Sequence, residues 1–323
     1  MNSVGAAKFI GARIAQAIPV LIGVSFITFC LLSVLPGDAA TSLLGSGATP
    51  QAVKILSAQL GLNQPFFQRY WHWLSQAAQG HLGVSLSTGQ PVASFIGQRA
   101  PVTIELVVLA LFIALFFAIP LATLSAYRPH GIADRFSAFV CMVGLSLPSF
   151  VTALILILLF AVKWKLFPAS GYTSLGGGIA KNLQSMALPS ITLAVTLFAL
   201  WTRVLRNDLF DQQRQQYVLT ARAKGRRPWG ALTRHALRNS GFGVMTLVGV
   251  NVGAAIGNAL LVETVFGLPG IGQGLVQAIT TRDVPVLEGC LLTCAVAVIG
   301  MNLLTDVLYA ILDPRIRLGG ADG

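Results

Sequence analysis

Residues 217–225 read Tyr-Val-Leu-Thr-Ala-Arg-Ala-Lys-Gly, and they lie inside the longest basic run of the chain, Arg203 to Arg238. Nine of the 22 Lys and Arg residues fall within this run, and strongly apolar segments flank it on both sides. A basic segment between two apolar segments is typical of a cytoplasmic loop that joins two membrane-spanning helices. The stretch therefore predicts a membrane protein and a cytoplasmic position for one of its loops.

The composition favours a helical membrane protein with several spans. Hydrophobic residues make up 54% of the chain and charged residues only 10%, whereas a soluble domain carries about 25% charged residues. Several apolar runs reach the ~20 residues that a helix needs to cross a bilayer. The net charge of +11 would suit a nucleic-acid binder. Because the basic residues concentrate in loops beside apolar runs, we expect membrane orientation and no nucleic-acid partner.

The apolar runs predict six membrane-spanning helices. The predicted spans are 14–35, 102–126, 137–162, 186–205, 241–262 and 286–312, with Pro148 bending the third. Basic residues are densest in the head, the loops 126–136 and 203–238, and the tail, which predicts that both termini are cytoplasmic. We divide the chain into a cytoplasmic head with the first span (1–35), a long outer loop (36–99) and a core of five spans (100–323) that contains the cytoplasmic loop 203–238.

The outer loop contains an aromatic segment at residues 60–74. Tyr70, Trp71 and Trp73 are typical of a helix that lies at the lipid–water interface. A cradle of aromatic side chains for a carbohydrate or a peptide is the alternative.

Motifs for catalysis or metal binding are absent from the sequence. It has no Gly-rich Lys loop for a nucleotide phosphate, no His-Glu metal motif and no Gly-x-Ser-x-Gly elbow. The four cysteines lie in apolar runs without a ligand-like cluster of His or carboxylates. We therefore expect that the chain is not an enzyme and holds no metal or cofactor.

The fifth predicted span carries small residues at four-residue spacing. Gly249, Gly253 and Gly257 share one helix face, and Asn251 and Asn258 lie on the same helix. Small faces let two helix backbones approach closely in lipid, and amides can hydrogen-bond across helices. Two interpretations stay open: packing within the chain, or an interface with a partner subunit beside a pathway. Asn302 and Asp306 form a polar pair in the sixth span, for which a structural cap or ion pair competes with a functional role.

The basic run itself predicts two short helices. Phe210, Tyr217 and Ala221 follow helical spacing, which predicts one amphipathic helix. Gly225 can end this helix, and Pro228 can begin a second one that extends to Arg238. Either the pair rests on anionic lipid, or its apolar ridge docks into the groove of a partner protein.

At these residues the chain resembles the dipeptide/oligopeptide branch of the membrane subunits of ABC importers. Residues 217–225 and the following Arg234-His-Ala-Leu-Arg-Asn239 are similar to that branch's version of the cytoplasmic "EAA" loop. Leu219 replaces the Glu of the general motif, and Leu237-Arg238 replaces its Leu-Pro. The remaining motifs occur in the family's order: Pro36-Gly-Asp38, Leu60-Gly-Leu62, Gly83-Val-Ser85, Pro168-Ala-Ser-Gly-Tyr172, Pro269-Gly-Ile-Gly272, Arg282-Asp283, Asn302-Leu-Leu-Thr-Asp306 and Asp313-Pro-Arg-Ile-Arg317.

The resemblance implies an all-α type I ABC importer permease of the cytoplasmic (inner) membrane, of the first-permease type. The implied partners are a second homologous permease, two cytoplasmic ATPase subunits, an extracytoplasmic substrate-binding protein and membrane lipid. ATP and Mg would bind to the ATPase subunits and not to this chain. The implied ATPase-coupling residues are Tyr217, Thr220, Ala221, Arg222, Ala223, Lys224 and Gly225.

The implied cargo is a di- or oligopeptide. Nickel, glutathione, a sugar oligomer or another small solute is the alternative, because the binding protein chiefly selects the cargo. The sequence assigns no role to His81 or Glu105.

Overall fold

The structure, a computed structural model, describes residues 3–34, 49–51, 54–55 and 64–312. Within these residues the chain is almost entirely helical, and its pairing of extended backbone is a single bridge between Val84 and Pro91. Two short π-helices, Ile157–Lys163 and Leu232–Ala236, continue the α-helices that end at Leu156 and Ala231. The helices are α1 (Ser3–Val34), α2 (Phe66–Ala78), α3 (Val92–Tyr127), α4 (Ile132–Ser146), α5 (Ser149–Leu156), α6 (Ile179–Gln213), α7 (Gln216–Ala223), α8 (Pro228–Ala231), α9 (Leu237–Phe266), α10 (Ile271–Thr281) and α11 (Val284–Leu312).

Five of the described helices contain a segment long and apolar enough to cross a membrane. These segments are Gly11–Cys30, Val92–Tyr127, Ile179–Gln213, Leu247–Phe266 and Val284–Thr305. The bent pair α4–α5 provides a sixth if its two helices count as one span. The prediction of a helical membrane protein with six spans is confirmed at this level.

The helices extend well beyond the predicted spans. The second begins at Val92 instead of residue 102, and the fourth runs from Ile179 to Gln213 instead of ending at residue 205. A helix does not end at the membrane surface, because its backbone hydrogen bonds are equally satisfied in water. Helix ends follow caps and turn residues instead.

The third predicted span is broken, not gently bent. Its halves, α4 and α5, differ in direction by 108°. Leu147 has extended backbone angles (φ −89°, ψ 122°), and Pro148 follows it. Proline lacks the N–H that would continue the helix and excludes helical angles at the residue before it. The prediction of one span bent at Pro148 had the right position but underestimated the change in direction.

The chain divides into two compact units, residues 1–103 with 269–299 and residues 104–268 with 300–323. In the first unit, α2 packs against α1 through aromatic rings. Tyr70 is buried, its ring lies 5.2 Å from that of Phe26, and its hydroxyl lies 2.9 Å from Ser25 Oγ. Trp71 is 70% exposed. Of the aromatic residues predicted at the interface, Tyr70 is therefore a packing residue.

The first unit also contains a buried carboxylate, Asp283, that organises the segment before α3. Its oxygens accept hydrogen bonds from the hydroxyls of Ser85 and Ser87 and from the backbone N–H groups of Leu86 and Ser87. Burial opposes ionisation of Asp283, but these donors outweigh it and hold the pKa of the carboxyl below its usual value. The contact ties the end of the outer loop to the turn between α10 and α11.

The second unit is built around α6. Trp201 is fully buried on this helix, and Gly144 of α4 lies so close to it that a Cβ at Gly144 would stand 2.9 Å from the Cβ of Ala199. Asp134 of α4 forms an ion pair with Arg206 of α6. The motifs Pro36-Gly-Asp38, Leu60-Gly-Leu62 and Asp313-Pro-Arg-Ile-Arg317 lie outside the described residues, as does the side chain of Asp306.

Candidate functional site

The basic segment forms a pair of short helices, α7 and α8, between the long helices α6 and α9. We call residues 214–236 the connecting segment. Its path begins with an extended residue, Gln215, whose carbonyl accepts hydrogen bonds from the N–H groups of Val218 and Leu219. The break at Arg214 and Gln215 separates α6 from α7. The predicted amphipathic helix through Phe210, Tyr217 and Ala221 is therefore wrong, because Phe210 lies on α6.

Gly225 ends α7 through its backbone conformation. Its φ is +85°, a left-handed value that glycine adopts without steric cost. The N–H of Arg226 donates to the carbonyl of Ala221 (3.2 Å), and the N–H of Gly225 donates to that of Arg222 (3.0 Å). These two bonds form a Schellman motif, which satisfies the last carbonyls of the helix. The predicted role of Gly225 as a helix terminator is confirmed.

Pro228 occupies the first turn of α8, as predicted. Proline suits this position because the first N–H groups of a helix have no partner within it. The short helix then passes through the π-helix Leu232–Ala236 directly into α9. Because no loop separates the two helices, a movement of α8 would be passed directly to the fifth span.

The inner face of the connecting segment is seated on the ends of α3 and α6. Val218 is the one described residue of α7 that is buried. The ring of Trp229 packs edge-on against Tyr127, with centroids 5.1 Å apart. The apolar cluster that holds the two helices consists of Ala122, Ala126, Leu205, Leu209, Val218, Ala231, Leu232 and Ala236.

Polar contacts also hold α7 in place. Arg222 Nη2 donates to Gln213 Oε1 (2.9 Å), and Gln213 Nε2 donates to the carbonyl of Ala126 (3.0 Å). Asn239 of α9 donates to the hydroxyl of Tyr217 (3.2 Å). These bonds join α7 to α3, α6 and α9, so the segment is fixed to three of the membrane helices.

Both apolar and basic side chains of the connecting segment are exposed. Leu219, Trp229 and Tyr217 are 45%, 41% and 39% exposed. Of the predicted coupling residues, Thr220, Ala223, Lys224 and Gly225 are exposed, whereas Ala221 and Arg222 are half-buried. The connecting segment thus leaves three large apolar side chains partly exposed, with exposed cations elsewhere on the same segment.

The small residues of α9 have different surroundings. Gly249 is buried against Thr305 of α11, so closely that a Cβ on Gly249 would overlap the Thr305 side chain. Gly253 is half-buried, whereas Gly257 and Asn258 are exposed and nothing described lies within 4 Å of a Cβ at Gly257. Asn251 Nδ2 donates to the carbonyl of Leu247 on its own helix. Gly249 therefore packs within the chain, while Gly257 and Asn258 lie on an open face.

Glu105, which lies within α3, has a partner in the loop before α6. The Tyr172 hydroxyl donates to Glu105 Oε2 over 2.8 Å. Burial and this bond to a carboxylate raise the pKa of Tyr172 to about 12. The Tyr172 side chain therefore stays protonated and remains a donor throughout the physiological pH range.

Sequence reasoning missed two features of the site: Val218 as the anchor of α7, and the pairing of Asp134 with Arg206. The first had a local signal, since Val218 and Leu219 are the aliphatic pair in a short polar helix, but their opposite roles depend on tertiary packing. Asp134 and Arg206 are 72 residues apart, and no spacing rule connects them.

Comparison with known proteins identifies the family. Residues 118–318 match the family described as binding-protein-dependent transport system inner membrane component, and residues 6–107 match the N-terminal family of such components. The chain belongs to this family. As an inner membrane component of a transport system, it is a multi-pass membrane protein and not itself an enzyme.

Individual relatives of this transport component are similar over nearly their whole length. A probable peptide ABC transporter permease of Sinorhizobium fredii is 37% identical over 309 residues, which cover 96% of this chain and 99% of the relative. A putative peptide transport system permease of Brucella abortus is 37% identical, covering 94% and 97%. A dipeptide transport system permease of Alkalihalophilus pseudofirmus is 34% identical, covering 94% and 98%.

Proposed function

We propose that this chain forms half of the translocation pathway of an ATP-driven peptide importer and that its connecting segment docks an ATPase subunit. The observation that carries the docking proposal is the two-sided character of the segment. A buried apolar cluster fixes it to α3 and α6, while the large apolar side chains of Leu219, Trp229 and Tyr217 remain 39–45% exposed. A short helix with exposed apolar side chains can dock into the groove of a partner protein.

The proposed mechanism is rigid-body coupling. ATP and Mg bind to the partner ATPase subunits, and closure of these subunits moves the docked connecting segment. Because α7 and α8 are packed on α3 and α6 and lead directly into α9, the movement reaches three membrane helices together. Such a displacement can switch a pathway between inward-open and outward-open states. In this arrangement the connecting segment and both termini are cytoplasmic, as the distribution of basic residues favours.

The second permease subunit is proposed to pack on the open face of α9. Gly257 and Asn258 are exposed on this helix, and small and polar residues favour close helix association in lipid. An extracytoplasmic binding protein would deliver the cargo to the opposite side of the paired subunits.

Support for peptide cargo comes from the similar proteins, which are named as peptide or dipeptide permeases. Nickel, glutathione and other small solutes are the competing cargoes. Binding assays on the partner binding protein separate them. Tight binding of di- or oligopeptides is expected, and a binding protein that takes nickel but no peptide would overturn the assignment of cargo.

Docking is tested by Leu219→Ser, with Leu175→Ser as the matched control. Both leucines are exposed, Leu219 by 45% and Leu175 by 59%, and Leu175 lies in the turn before α6 at the proposed outer surface. Removing a central apolar contact from an interface costs about 2 kcal/mol or more, so Leu219→Ser should lower ATPase co-purification and ATP-driven uptake by at least about tenfold. Leu175→Ser should change neither. Normal uptake by the Leu219→Ser variant would refute the docking proposal.

A further inference from the structure

A cavity of about 660 Å³ lies between α4 and α6 in the second unit. Its volume is within the range of small-ligand sites, about 300–1,000 Å³. The wall combines basic and apolar side chains. The residues that matter for the argument are His130, Arg135, Met142, Leu145, Arg203 and Arg206.

Asp134, the only acidic residue among the described residues of the wall, already has hydrogen-bond donors on both of its carboxylate oxygens. Its Oδ1 accepts hydrogen bonds from Ser125 Oγ and Arg206 Nε, both at 2.6 Å. Its Oδ2 accepts from Arg206 Nη2 and from the backbone N–H of His130, both at 2.9 Å. Asp134 and Arg206 thus offset each other's charge and hold α4 and α6 together at the wall of the cavity. Asp134 is therefore not available to neutralise a further cation.

Two cations of the wall remain. Arg135 and Arg203 are exposed, and neither guanidinium group makes a hydrogen bond or an ion pair within the described part of the chain. Three arginines against one aspartate give the wall a net charge of +2 when His130 is neutral. An anion that enters the cavity would therefore meet two free guanidinium groups, which bind phosphate oxygens in a bidentate manner.

The apolar part of the wall distinguishes between sources of that phosphate. Met142 and Leu145 lie nearly one turn apart on α4 and are 61% and 38% exposed. A soluble phosphate compound would gain little from these side chains, whereas a phospholipid has both a phosphate and an acyl chain. Basic pockets between membrane helices on the cytoplasmic side suit anionic headgroups.

We propose that this cavity binds an anionic phospholipid, with the phosphate between Arg135 and Arg203 and an acyl chain along Met142 and Leu145. The cavity lies at the end of α6 that carries the connecting segment, so its position in the inner leaflet rests on the orientation in the proposed function. The lipid would sit against α4 and α6, two of the helices that surround the Asp134–Arg206 pair.

The test is native mass spectrometry of the full chain in a neutral detergent with equal amounts of phosphatidylglycerol and phosphatidylcholine of identical acyl chains. Each arginine near an anionic lipid contributes about fivefold in binding, so Arg135→Gln with Arg203→Gln should reduce the preference for phosphatidylglycerol by up to about 30-fold. Arg135→Lys with Arg203→Lys should lose less of the preference than the glutamine variant, because the two charges remain although the bidentate contacts are lost. The control is Arg234→Gln with Arg238→Gln, which removes two exposed charges away from the cavity and should leave the preference unchanged.

Three results would overturn the proposal. The first is an unchanged preference in the Arg135 and Arg203 glutamine variant, and the second is an equal loss in the Arg234 and Arg238 control. The third is displacement of phosphatidylglycerol by millimolar glycerol phosphate or by a dipeptide, which would assign the cavity to a soluble anion or to cargo. The readout needs neither ATPase nor uptake. Failure of the Leu219 experiment with an intact lipid preference would therefore reject docking alone.

Discussion

Replacing Val218 with alanine should release α7 from the rest of the protein. The Val218 side chain is 0% exposed and packs in the cluster that includes Leu205 and Leu232. Helix α7 has only eight residues, whereas isolated helices shorter than about 12–15 residues are marginal in water. Its stability must therefore come from packing, and Val218 is the buried contact that the helix itself supplies.

The magnitude follows from the two methyl groups that the substitution removes. Their loss costs about 1.6 kcal/mol in transfer free energy, and the cavity left among the neighbouring side chains brings the total to about 2 kcal/mol. If this energy acts on local opening of α7, the population of the open state rises about 30-fold. The membrane helices should keep their stability, because Val218 lies outside them.

Hydrogen–deuterium exchange of the intact protein measures this effect. The backbone N–H groups of the last turn of α7 should exchange about 30-fold faster in Val218→Ala, and ATP-driven uptake should fall while the ATPase subunits continue to hydrolyse ATP. Leu219→Ala is the control, since Leu219 is 45% exposed and its loss should leave exchange unchanged. If the N–H groups of α7 exchange at the same rate in the Val218 variant as in the native protein, Val218 does not anchor this helix.

Three further predictions concern single residues. Gly225→Ala should destabilise the end of α7 by about 1 kcal/mol, because only the positive φ opposes it and no described atom lies within 4 Å of the new Cβ. Hydrogen exchange at the end of α7 should become faster, and Gly225→Asn should destabilise it less. Gly249→Ala should destabilise the chain by about 1–3 kcal/mol in thermal unfolding, because the new Cβ overlaps Thr305, while Gly257→Ala should not; equal melting of both would contradict the close contact. Asp283→Asn should lower the free energy of unfolding by about 2 kcal/mol at pH 7. Folding lowers the pKa of Asp283, so the carboxylate's contribution to the free energy of unfolding is complete above about pH 4 and is lost as the pH falls further. The difference in stability between the native protein and the variant should therefore become smaller in acid. A difference that does not change with pH would contradict this.

The membrane fold was predictable because lipid imposes a strong local constraint. Apolar runs of sufficient length predict spans, and the basic run between two of them predicts the connecting segment with Gly225 and Pro228 at its turns. Helix ends were predicted poorly. Helix α3 begins at Val92, where polar residues such as Gln98 and Arg99 conceal the continuation of the helix from an analysis of hydropathy.

The features that the sequence could not provide depend on contacts between distant residues. The opposite roles of Val218 and Leu219 depend on which face of α7 meets α3 and α6. The partners of Asp134 and Asp283 lie as far away in sequence as Arg206 and Ser85. Apolar residues at helical spacing predict that one face of a helix is buried, but not which element covers that face.

The break between α4 and α5 has a consequence for how the protein enters the membrane. A turn of 108° at Leu147 and Pro148 interrupts the regular backbone hydrogen bonding of a span, and lipid offers no replacement partner. Helix α6 packs against both halves, with Gly144 close against Ala199. We therefore expect residues 132–213 to leave the translocon together as one insertion unit, and a nascent chain that stops before α6 to be retained at the translocon instead of released into the bilayer.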